Sequence, residues 1–168
     1  MRERPGGPPS WVAPGLVLAL ALIGFGHLLA PGRLPFSRFS DFGAYHLGAK
    51  TVLRDALASG NGLPFWRSDQ LSGYAALTNP QAAYTYPLHF LFWLVPPTAA
   101  LGGTEFLRFV AAGLSFLLAG SALRLGFPAR VFLATAGMFS FKLIMATFAG
   151  WLAVVPSIVW LPAVFATV

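Results

Sequence analysis

WVAPGLVLALALIGFGHLLA, residues 11–30, contains no Asp, Glu, Lys or Arg. About 20 such positions in helical form cross a hydrocarbon core about 30 Å thick. Arg2 and Arg4 precede the run, as they would in a secretory signal, but Pro31-Gly32-Arg33 is a poor small-x-small cleavage site, so the run reads as a retained helix. Trp11 suits the headgroup belt, and Gly24 and Gly26 are tolerable in a membrane helix. Outward from this run the whole chain has the same character. Its residues are 57% hydrophobic and only 10% charged, which places it outside the soluble globular class.

The formal charge of +6 does not indicate nucleic acid, because Arg2, Arg4, Arg124 and Arg130 sit at the ends of apolar segments, where orientation and lipid headgroups account for them. With no cysteine, the chain has neither disulfides nor thiolate ligands. Walker, dinucleotide-binding and nucleophile-elbow motifs are absent, so ATP-driven and serine-hydrolase chemistry are unsupported.

Arg2 and Arg4 place residues 1–10 in the cytoplasm and residues 31–103 outside, as a long loop. Within it, residues 33–87 form a polar island that holds Asp41, Asp55, Asp69 and most of the Trp, Asn, Gln and Tyr. Ser40 or Asp41 is positioned to cap a helix that continues to about Ser59, with Gly60 as its left-handed terminator. Phe42, Tyr45, Ala49, Val52, Leu53 and Ala56 form one face of that helix, and His46, Lys50 and Arg54 recur four apart on another. This pattern predicts an amphipathic helix at the membrane surface, with its basic stripe near lipid phosphates. The Gly-, Asn- and Ser-rich stretch 60–79 predicts an ordered loop anchored by Trp66, Leu71 and Tyr74. Asn79-Pro80 predicts a new helix start, and the apolar residues 88–95 are too few to span and predict an interfacial or re-entrant helix.

Residues 104–168 carry the remaining spans. Thr104 is a candidate cap for a helix to about Leu125, and Arg124 and Arg130 bracket a cytoplasmic turn. A third span is expected over about 130–149, and a fourth begins near Trp151 with Pro156 and Pro162. The last residues stop inside an apolar run, which reads as a truncated span. The expected architecture is all-α: a polytopic membrane helix bundle of about four spans, with a long external loop containing juxtamembrane helices.

Asp41 is the leading chemical candidate. A carboxylate at a helix start near the bilayer could take a proton from an acceptor hydroxyl, or hold a divalent cation against a lipid-linked phosphate, and a plain helix cap is the competing role. Asp55, Asp69 and Glu105 read as ion-pairing, turn and helix-dipole residues. Arg108 would reach a phosphate headgroup or snorkel. Lys142 falls in the third span and calls for a polar cavity or partner. His27, His46 and His89 lack metal-site spacing and read as packing or hydrogen-bonding residues.

Taken in order, Ser40-Asp41, Leu53-Arg54-Asp55, Gly60, Leu63-Pro64-Phe65-Trp66, Gly73, Asn79-Pro80-Gln81 and Tyr86-Pro87 resemble the first external loop of YfhO-like bacterial membrane proteins, a branch of the GT-C glycosyltransferases. The resemblance extends through Phe139-Ser140-Phe141 and Trp160-Leu161-Pro162, and Phe141-Lys142 and Trp151 depart from it. It implies the N-terminal portion of a multi-pass enzyme of the bacterial cytoplasmic membrane that transfers a sugar from a polyprenyl-phosphate donor to an extracytoplasmic acceptor. It further implies Asp41 as general base or ligand of a metal-phosphate, with Arg108, Lys50, Arg54, Trp66, Asn79 and Gln81 as substrate contacts. Membrane lipids and the lipid-phosphate sugar are the expected partners. A non-catalytic membrane subunit or a lipid or sugar-lipid transporter is the competing reading, with Asp41 only a cap and Lys142 lining a pathway.

Overall fold

The computed structural model describes residues 8–30, 33, 40–68 and 72–168. The expectations resting on Arg2, Arg4, Asp69 and Leu71 fall outside these residues. The described chain is mostly helical, and three helical segments are long and apolar enough to cross a membrane: Val12–Leu29, Pro97–Ala122 and Phe127–Ala149.

Helix α1 (Val12–Phe25) runs into a 3-10 turn, Gly26–Leu29. The long helix α4 (Pro97–Ala122) is the axis of the bundle, and α1, α5 (Phe127–Met138) and α7 (Val155–Phe165) pack on it. Small residues permit the close approach. A methyl group on Gly102 would stand 2.2 Å from the Leu28 carbonyl oxygen, one on Gly113 2.5 Å from Val17, and one on Gly137 2.1 Å from the Phe116 ring. Such contacts are how apolar helices associate where lipid removes the hydrophobic drive between them. Phe25 and Phe109 stack across the α1–α4 seam with ring centroids 3.6 Å apart.

Three boundaries differ from expectation. Helix α4 begins at Pro97, so Thr104 is buried inside it rather than capping it. Proline at a first helical turn loses no hydrogen bond, and Pro96-Pro97 therefore starts the helix as readily as it ends the preceding segment. The third span is broken: α5 ends at Met138 and α6 (Phe141–Ala149) restarts after Ser140, whose Oγ accepts from the Leu143 N–H at 3.4 Å. The fourth apolar segment, α7, has 11 residues, short of a span.

The island folds as a second, smaller core around Phe42, Leu53, Tyr84, Phe92 and Leu101, all buried. A π-helical turn, Phe42–His46, leads into α2 (Leu47–Ala58), and Gly60 follows at φ +75°. A two-residue hairpin pairs β1 (Trp66–Arg67) with β2 (Tyr74–Ala75). Trp66 is largely exposed, but its indole lies on Gly73, where a methyl group would stand 2.8 Å from the ring. No helix starts at Asn79-Pro80. Asn79 Oδ1 instead accepts from the Gln81 N–H at 3.0 Å in a local turn, the alternative that Asn side chains offer the backbone. Pro87–Phe90 and α3 (Leu91–Leu94) form the short apolar segment expected over 88–95, with Phe90, Trp93 and Leu94 exposed.

Candidate functional site

The expectation of a basic stripe facing lipid is overturned. Lys50 is completely buried and His46 nearly so, because the face of α2 that carries them closes on the 82–92 segment and the end of α6. The stripe is inward because partners wait there, and those partners are 32 to 104 residues away in sequence. The Lys50 amine donates to the Ala82 carbonyl and lies 3.1 Å from His89 Nδ1, which is 2.6 Å from the Ala83 carbonyl. Nδ1 cannot donate to Ala83 and accept from an ammonium together. With Lys50 neutral, its lone pair can face the single Nδ1–H, which the Ala83 carbonyl and the amine then share, while its own N–H donates to Ala82. Burial, with the charge of Arg108 second, pushes the Lys50 amine down to about 7.

His46 Nε2 is 2.7 Å from the Gly150 carbonyl, so it carries the proton and leaves Nδ1 as a bare, buried base without a hydrogen-bond partner among the described residues. Burial, reinforced by the charge of Lys50, lowers its proton affinity, whereas the Gly150 carbonyl and the charge of Asp41 raise it. Burial and the nearby cations push His89 down as well, and its Nε2 is unpartnered. Gly150, at φ +81°, terminates α6 in the left-handed conformation that glycine adopts without strain. Its turn is pressed against the start of the island helix: a methyl group there would meet the Asp41 and Phe42 backbone nitrogens at 3.0 Å.

Beneath this layer, Arg108 pairs with Glu105 at 2.5 Å, both fully buried on α4. Among the described residues the pair leaves Glu105 Oε2 and Arg108 Nε and Nη2 without partners, and the guanidinium carbon lies 4.8 Å from the Tyr86 ring centre. Neither a simple dipole residue nor a snorkelling cation, the two are an internal ion pair, which persists in an apolar region because each charge has the other.

Asp41 itself is exposed, and its side chain makes no capping hydrogen bond; Ser40 Oγ accepts from the Phe42 N–H at 3.3 Å instead. The structure thus gathers Asp41, His46, Lys50, His89, Glu105 and Arg108 about the junction of island and bundle. The other sequence candidates lie elsewhere or are otherwise engaged. Arg54 donates to the Phe92 and Trp93 carbonyls at 3.1 and 2.7 Å, closing the end of α3. Asn79 Nδ2 donates to the Tyr45 hydroxyl at 2.7 Å, Gln81 is exposed, and Trp66 sits on the hairpin. Lys142 is exposed on α6.

A divalent cation at Asp41 finds little support in donor chemistry. Among the described residues no three His, Asp or Glu side chains are grouped to hold a metal, and hard divalent cations need several oxygen ligands. In the sequence alone His46, His89 and Glu105 read as packing, hydrogen-bonding and helix-dipole residues. The available signal was the four-residue spacing of His46 and Lys50, which marks a shared face but not what covers it. No family model matches the chain, and no curated protein or solved structure matches it.

Proposed function

We propose that the chain forms part of a GT-C-type membrane glycosyltransferase that moves a sugar from a polyprenyl-phosphate donor to an extracytoplasmic acceptor, in the bacterial cytoplasmic membrane with residues 31–103 on the outer side. The observation that carries the reading is the Asp41 carboxylate, exposed and free of any cap, beside a junction that buries Lys50 and Arg108. In this mechanism Asp41 accepts the proton of the acceptor hydroxyl as its oxygen bonds to the anomeric carbon, and the bond from that carbon to the phosphate oxygen breaks with inversion. The departing phosphate keeps the electron pair, and Arg108, whose Nε and Nη2 the Glu105 pair leaves without partners among the described residues, is the group assigned to stabilise its growing charge.

The test is Asp41→Asn in the protein in its native membrane, assayed with a labelled polyprenyl-phosphate sugar. Loss of transfer with normal membrane insertion is expected, and retained transfer overturns the assignment. A second reading, a non-catalytic subunit or a lipid or sugar-lipid transporter, draws on Lys142, a charge exposed on a candidate span. It requires Lys142→Met to stop lipid movement while Asp41→Asn leaves it unchanged.

A further inference from the structure

We propose that the outward face of α6 around Lys142 is a docking surface for an apolar membrane-spanning helix of another polypeptide that carries one carboxylate. Lys142 lies in the candidate span Phe127–Ala149, 15 residues past Phe127 and 7 before Ala149. At about 1.5 Å of rise per residue it is roughly 10 Å inside the nearer end. Lys142 is exposed, with Phe141 and Met145 exposed beside it, and among the described residues no hydrogen bond or ion pair reaches its amine. The cleft lined by Tyr84, Tyr86 and Pro156 does not include it.

A charge this deep in hydrocarbon is costly unless it reaches water or an opposite charge. Snorkelling to the nearer end runs against the helix. Side chains in an α-helix slant toward its N-terminus, here Phe141, and so away from the Ala149 end. Lipid tails offer no acceptor, and a spanning helix bonds its own backbone groups internally, so the acceptor at this depth is a side chain. A carboxylate cancels the charge as well as accepting the hydrogen bond. The bundle already uses that solution once, where Glu105 neutralises Arg108 on α4 at 2.5 Å.

A second copy of the chain does not supply that carboxylate. The acidic residues are Glu3, Asp41, Asp55, Asp69 and Glu105, and only Glu105 falls in one of the three candidate spans, where it is fully buried in its pair with Arg108. The occupant is therefore a different helix, with its carboxylate about as far from one end as Lys142 is from Ala149. Phe141 and Met145 supply apolar contact on either side of the ion pair, since helices in lipid associate through packing and interhelical hydrogen bonds. Such docking goes beyond sugar transfer and does not depend on it.

The test places the intact protein in phosphatidylcholine vesicles and follows energy transfer from its tryptophans to a dansyl-labelled polyleucine helix of about 20 residues, carrying one Glu, one Gln or one Lys at the matching depth. The Glu helix should bind at least about tenfold more tightly than the Gln helix, the margin of one hydrogen bond to a charged group. Lys142→Met should erase that preference, and Lys142→Glu should transfer it to the Lys helix, both with the helical circular dichroism intact because the position is exposed. Equal binding of the Glu and Gln helices, or a preference that survives Lys142→Met, would overturn the proposal. So would a preference abolished by added phosphatidylglycerol, which makes an anionic head group the occupant, or self-association of the protein that Lys142→Met removes, which makes it a second copy.

Discussion

Replacing Lys50 with methionine should raise stability at neutral pH and abolish its pH dependence between about pH 7 and 9. Methionine keeps the unbranched stem that fills the space between Tyr84 and Phe92 and removes only the amine. In the folded protein burial, aided by the charge of Arg108, pushes that amine down to about 7, whereas in the unfolded chain it titrates near 10.4. Between these values the unfolded state binds more protons, so stability rises with pH through this range, and the penalty is fully present below the folded value. The slope is about 1.4 kcal/mol per pH unit, giving roughly 3 kcal/mol across the window. Other groups stay out of this range. His46 and His89 are pushed below the ordinary histidine value and act at lower pH, and burial raises Tyr45 and Tyr84, the latter to about 12, so they act above pH 10. The variant loses hydrogen bonds to the Ala82 carbonyl and His89, worth about 1–2 kcal/mol. That is less than the penalty of about 4 kcal/mol relieved near pH 7 by the same relation. Equilibrium unfolding in detergent micelles, followed by tryptophan fluorescence at several pH values, measures both effects. A flat wild-type profile, or a Lys50→Met profile that keeps the slope, would refute the buried neutral amine.

Three further outcomes follow from the packing and the charges. Glu105→Gln strands the buried Arg108 charge and should destabilise the protein by about 3–5 kcal/mol, with Arg108→Met in the same chain recovering most of the loss on thermal melting in detergent. Gly102→Ala meets the backbone oxygen of Leu28 and should cost about 1–3 kcal/mol or more, whereas Gly15→Ala, with nothing within 4 Å, should be neutral or stabilise by up to about 1 kcal/mol in the same assay. Asp41→Asn should leave unfolding within about 0.5 kcal/mol of wild type, because the carboxylate makes no cap, while transfer is lost.

Much of the scaffold was legible because it depends on local terms. The α1 run, the left-handed Gly60 after α2, the short 87–94 segment and the turn at 123–126 each follow from hydropathy, glycine placement or proline chemistry within a few residues. Boundaries were less so where two local options compete. Pro96-Pro97 both ends one segment and begins another, and Asn79 chose its own backbone turn over a helix start. Ser140 could equally have sat inside a continuous span, until its hydroxyl became a cap.

By itself the sequence determined that this is a helical chain with membrane-grade segments, and that its polar residues concentrate in one island headed by Asp41. Those conclusions rest on summed hydropathy and short-range periodicity, which each segment carries alone. Only the tertiary structure decided that the His46–Lys50 face turns inward, that Glu105 and Arg108 neutralise one another, and that the Gly150 turn meets Asp41. A helix face records that it is polar but not whether water, lipid or another polar face will cover it. Here the covering groups are the Ala82 and Gly150 carbonyls and His89, brought from distant parts of the chain by the burial of the apolar residues around them, Phe42, Tyr84 and Phe92 among them.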